Sequence, residues 1–126
     1  MAGLRLDGAG QAKMTTLDDS LLIHQRVHTL VEQYALAVKN NQPASHLLQN
    51  LKRQMPMLAS KLKGQFGMIS DLVTATNMAM TRGGSDQMRV RAMREGVASI
   101  KSQLEISIAQ VVQRHQVKEE KQPASE

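Results

Sequence analysis

The sequence predicts an all-α fold: an elongated antiparallel bundle of long amphipathic helices with coiled-coil-like packing. Three observations carry this expectation. Aliphatic residues recur at three- and four-residue steps along most of the chain, the spacing that lines one face of a helix. The chain is 41% hydrophobic but only 2% aromatic, so its core has to be aliphatic, with the nine Met included. Such side chains interdigitate between helices, whereas strands favour aromatic and β-branched residues. The turn-forming pairs Asn40-Asn41 and Gly83-Gly84 separate periodic stretches. At 126 residues the chain suits one domain.

Residues 1–15 hold three Gly and little periodicity, and are expected to form a flexible arm. Thr16, followed by Asp18 and Asp19, predicts a helix start, because a hydroxyl can satisfy an orphan N–H and acidic groups favour the positive end of the helix dipole. Leu17, Leu21, Val27, Leu30, Val31, Tyr34 and Val38 continue at helical spacing. Asn40-Asn41 with Pro43 beyond predicts the stop, since Asn tolerates the left-handed conformation and Pro cannot continue the ladder. Pro43 suits the first turn of a second helix carrying Leu47, Leu48, Leu51 and Met55. Pro56 then kinks or divides that helix, giving three helices, or four if Pro56 breaks the second. Leu58, Leu62, Phe66, Ile69, Val73, Thr76 and Met80 read as one stripe on a rod over 57–82. Gly64 and Gly67 lie inside it, each costing up to about 1 kcal/mol against Ala or marking a close helix approach.

Arg82-Gly83-Gly84-Ser85 is the sharpest punctuation, with Gly83 placed for a left-handed cap and Ser85 for the next helix start. In the final helix Val90, Met93, Val97, Ile100, Leu104, Ser107 and Val111 keep an unbroken three-four alternation, widened by Ile108 and Val112. At about 1.5 Å per residue, segments 57–82 and 85–118 make rods of roughly 39 and 51 Å. The longer rod is expected to overhang and leave an apolar seam for a partner. The bundle domain is thus expected over 16–118, with a disordered acidic tail at 119–126.

The chain has no Cys, which excludes disulfides and thiolate metal sites. Leu21-Leu22-Ile23 is the longest run of large apolar residues, far short of the about 20 that span a bilayer. The first residues lack the apolar core of a secretory signal, so cytoplasmic or nuclear residence is expected. The formal charge of +5 is concentrated in the middle of the chain and permits contact with nucleic acid or anionic lipid.

His24 and His28 have the i, i+4 spacing of a helical metal pair, but Gln25 stands where a zinc hydrolase carries its Glu, and only His46 is near enough in sequence to add a ligand. The expectation is no metal, no cofactor and no catalytic residue. Asp18 and Asp19 are accounted for by capping, Glu119 and Glu120 by a solvated tail, so the chain is expected not to be an enzyme. In a hairpin turning at 83–84, Lys61 and Lys63 would stand level with Glu105, and Asp71 near Arg94, as surface ion pairs. Arg82, Arg89, Arg91 and Arg94 then form a candidate anion-binding tip, continued by Lys101. The Met clustered around the hairpin are expected chiefly to fill core gaps.

Ala59-Ser60-Lys61-Leu62-Lys63-Gly64 resembles the Ala-His-x-Leu-Lys-Gly segment of histidine phosphotransfer domains, which are also antiparallel helical bundles. The resemblance implies a degenerate member of that family, because Ser60 occupies the phosphorylatable position and cannot serve in histidine phosphotransfer. The function expected from the residues themselves is a non-enzymatic helical interaction module, an adaptor or subunit of a larger assembly. Its candidate contact residues are Val97, Ile100, Leu104, Ile108, Val111 and Val112, engaging a protein partner or a second copy. The alternative is an electrostatic binder of nucleic acid or anionic lipid through the basic tip.

Overall fold

The computed structural model describes residues 5–82 and 84–117. Among these the chain forms four helices: α1 (Gly8–Lys39), α2 (Ser45–Lys63), α3 (Gly67–Thr81) and α4 (Asp86–His115). α1 packs beside α2 and α4, and α3 beside the same two, which makes an up-down-up-down four-helix bundle. Neighbours run antiparallel: Thr16 meets Gln65, Ser70 meets Ala59, Thr76 meets Gly96, and Asp7 meets His115. The core is the aliphatic one the composition requires. Leu17, Val27, Val31, Leu51, Met55, Leu58, Leu62, Val73, Met80, Met93, Ile100 and Leu104 are fully buried. Each such side chain contributes about 1.5–3 kcal/mol relative to exposure.

α1 begins eight residues earlier than Thr16. Asp7 is its N-cap and accepts from the Gly10 amide at 2.7 Å, so residues 8–15 are helical and not an arm. Thr16 sits inside the helix, where its hydroxyl donates to the Ala12 carbonyl at 3.2 Å and to Gln65 Oε1 at 2.6 Å. The stop falls where the sequence places it. Asn40 caps the helix and Asn41 takes a positive φ of 55°.

The rod expected over 57–82 is broken, and Pro56 is not the break. α2 runs through Pro56, which stands exposed and forfeits only its bond to the Lys52 carbonyl. The helix ends at Lys63 with Gly64 as its cap, and α3 starts at Gly67. Two weak helix formers bracket Gln65-Phe66, and the Phe66 amide closes the end on the Leu62 carbonyl at 2.7 Å. Folding back here makes one stripe into two facing ones, with the Ser70 hydroxyl donating to the Ala59 carbonyl at 2.8 Å. Gly64 and Gly67 face open space, so neither marks a close approach. That role belongs to Gly96, where a Cβ would collide with Thr76. The register shifts the ion pairs as well: Lys61 bonds to Asp19 and Arg94 to Glu32, not to Glu105 and Asp71.

At the α3–α4 turn, Gly84 has a φ of 140° and Ser85 caps α4, accepting from the Met88 amide at 3.2 Å. Gly83, the expected left-handed cap, and the acidic tail at 119–126 lie outside the described residues. No described helix is long and apolar enough to cross a membrane.

Candidate functional site

The α4 seam is closed by the chain itself. Val97, Ile100, Leu104 and Val111 are buried, and Ile108 and Val112 are half-buried. The expected overhang is absent at Val111 because the first two turns of α1, missed from sequence, cover the end of α4. The cover is clasped at its tip. The Asp7 amide donates to the His115 carbonyl at 3.0 Å, the Val117 amide to the Arg5 carbonyl at 2.7 Å, and Gly10 lies against the His115 side chain. His115 Nδ1–H donates to Asp7 Oδ1 at 3.1 Å, while Lys13 Nζ donates to His115 Nε2 at 3.4 Å. The Asp7 carboxyl is held below its ordinary range by the Gly10 amide first, then by His115. Gly8 and Gly10 obscured this start, and Asp7, a good N-cap residue, was the signal for it.

The tip arginines separate into two kinds. Arg89 is structural: its Nε donates to the Met80 carbonyl at 2.8 Å, and its Nη1 to Tyr34 Oη at 3.1 Å and Asp86 Oδ1 at 3.0 Å. Tyr34 in turn donates to Asp86 at 3.1 Å, so this cluster ties α1, α3 and α4 beside the turn. Arg94 grips Glu32 at two points, 2.9 and 3.2 Å, and that bond holds the Glu32 carboxyl below its usual range. Arg82 and Arg91 are exposed and have no ionic partner among the described residues. Four arginines therefore leave two cations for an anion, a thin footprint for nucleic acid.

The surface that stands out is the outward face of α1. Leu22 is 57% exposed and Leu36 59%, fourteen residues and four turns apart on one side of the helix. A groove of about 700 Å³ between α1 and α4 runs beside Leu22, lined by Leu21, Val31, Val97 and Ala98 with His28, Lys101 and Glu105 at its edges. On the α2 side, Leu22, Ile23, Pro56 and Met57 line a second groove of about 700 Å³. Leu36 borders a third, of about 830 Å³, with Ala35, Val38 and Val90. The Glu32–Arg94 pair separates the first from the third.

His24 forms the floor of the first groove. It is buried, and because a carbonyl can only accept, its Nε2–H donates to the Val97 carbonyl at 2.9 Å. Burial pushes its pKa below the ordinary histidine value, and nearby His28 adds to the shift against the Val97 bond. His28 and His46 are exposed, and no three His, Cys, Asp or Glu among the described residues could hold a metal ion. In the segment resembling phosphotransfer domains, Ser60 is exposed on α2, Lys61 pairs with Asp19, and Leu62 is core. The Met divide: Met55, Met80 and Met93 fill the core, whereas Met57, Met68, Met78 and Met88 face solvent. No family model, curated protein or solved structure matches the chain.

Proposed function

We propose that the chain is a non-enzymatic helical interaction module, a subunit or adaptor that binds protein through the outward face of α1. The observation behind this reading is the pair Leu22 and Leu36, large apolar side chains left more than half exposed beside grooves whose walls mix apolar and charged side chains. A soluble helix normally turns such residues inward, and apolar patches rimmed by polar groups mark contact surfaces. The contact residues first expected on α4 are replaced in this reading, because Val97, Ile100, Leu104 and Val111 serve the core. Binding of nucleic acid or anionic lipid through Arg82 and Arg91 is the competing reading.

Salt separates the two. Complexes isolated with the tagged full chain should survive high salt and disappear in Leu22→Asp combined with Leu36→Asp, with helical content unchanged. Binding to DNA or anionic vesicles that salt abolishes, and that Arg82→Ala with Arg91→Ala removes, would favour the electrostatic reading instead.

A further inference from the structure

The end of the bundle opposite the Gly84 turn holds a cleft of about 460 Å³, bounded by the second turn of α1, the start of α3 and the last turns of α4. It shares no residue with the grooves around Leu22 and Leu36. Its polar walls are rich in donors, and no Asp or Glu among the described residues lines it. Lys13 reaches it from α1 and Arg114 from α4, and neither has an ionic partner among the described residues. Lys13 is half-buried and its Nζ donates to His115 Nε2 at 3.4 Å, a bond that leaves the ammonium charge unmatched. Asp7 holds the far side of His115 and is not part of the wall. Gln65 adds a further donor. Its Oε1 already accepts from the Thr16 hydroxyl at 2.6 Å, so its NH2 group is what remains to offer.

A partly desolvated cation without a counter-charge is unfavourable, and an anion supplies what is missing. The rest of the wall selects among anions. Phe66, Met68 and Ile106 line the same cleft, with Met68 87% and Ile106 46% exposed. A bare inorganic ion makes no use of such a surface, whereas pockets for organic molecules combine apolar walls with a few placed polar groups. We propose that this cleft binds a small amphiphilic anion, its acidic head between Lys13 and Arg114 and its apolar body against Phe66, Met68 and Ile106. The inference is independent of the α1 face and adds a ligand to the chain whatever protein it contacts.

Three probes divide the ligand into its parts: decanoate, decanol with a like body and no charge, and acetate with the head alone. Titrated into the full chain below micelle-forming concentrations, decanoate should shift the backbone amide resonances of Gly67, Met68 and Arg114 saturably. Decanol and acetate should each bind at least tenfold more weakly. Arg114→Gln should weaken decanoate roughly tenfold. Arg114 is exposed and makes no bond within the described fold, so this variant keeps the native melt. Lys13→Gln should weaken it similarly and Lys13→Arg restore it, whereas Arg82→Gln with Arg91→Gln, at the other end of the bundle, should leave it unchanged. Decanol binding as tightly as decanoate, or equal losses from the two ends, overturns the anion site. Acetate binding as tightly as decanoate overturns the apolar half of the assignment, and absence of saturable shifts with decanoate overturns the whole.

Discussion

One carboxylate oxygen of Asp7 accepts from the Gly10 amide at 2.7 Å and from His115 Nδ1 at 3.1 Å, joining the start of α1 to the end of α4. The same oxygen thus caps one helix and fastens another. Asp7→Ala should fray residues 8–15 and uncover Val111, while Asp7→Asn, which still accepts from Gly10, should retain part of the order. Amide hydrogen exchange checks this by residue: protection should fall in the first turns of α1 and stay unchanged in α2 and α3. Equal protection in Asp7→Ala and the parent chain would show that the clasp does not hold this end.

The α3–α4 crossing depends on the missing side chain at Gly96. An added Cβ would run into both branches of Thr76, whose hydroxyl is fixed on the Leu72 carbonyl at 2.9 Å. Gly96→Ala gains helix propensity but forces the helices apart, and overpacking of this kind costs about 1–3 kcal/mol. Thr76→Ala in the same chain removes the obstruction and should recover much of the loss. Chemical denaturation of the two single variants and the double variant gives the coupling. An additive double variant would place the closest approach of the two helices elsewhere.

Burial of His24 makes stability depend on pH. Its folded pKa lies below the unfolded value of about 6.5, so the unfolded chain takes up the proton first as pH falls. The stabilising contribution is present above that value and is lost as pH drops through it toward the folded pKa. The lowered carboxyls of Asp7 and Glu32 act in the same direction but further into acid, as pH falls below the carboxylate range near 4. Melting temperature should therefore fall in two stages on acidification, and His24→Gln should flatten the first alone. A first stage that persists in that variant would assign it to another group.

The periodicity of Leu17 to Val38 and of Val90 to Val111 was sufficient to identify α1 and α4 and to pick out their buried faces, because a repeating apolar stripe has few other solutions. The Asn40-Asn41 stop and the Ser85 cap were legible for the same local reason. What sequence concealed were choices made by tertiary contact. The stripe through Leu62 and Ile69 continues in phase across Gly64–Phe66, so spacing alone reads one rod, while packing Ser70 against Ala59 requires two. Gly8 and Gly10 read as an arm until His115 supplies the surface that needs a glycine opposite it. The α4 residues had the pattern of a contact surface, but apolar spacing does not distinguish a chain's own helix from a partner's. Leu22 and Leu36, on which the proposed contact surface rests, become conspicuous only when the neighbouring positions are known to be inside.

The most direct test compares two paired aspartate variants, Leu22→Asp with Leu36→Asp and Val111→Asp with Val112→Asp. Isolation of salt-resistant complexes with the tagged chain and thermal melting by circular dichroism report association and folding for the same variants. The α1 pair should keep the cooperative melt and lose association. The α4 pair should lower the melt sharply, because Val111 is buried beneath α1 and a charge there has no partner. The reverse result, a folded α4 pair that no longer associates beside an α1 pair that still does, would return the contact surface to α4 and contradict the role assigned to α1.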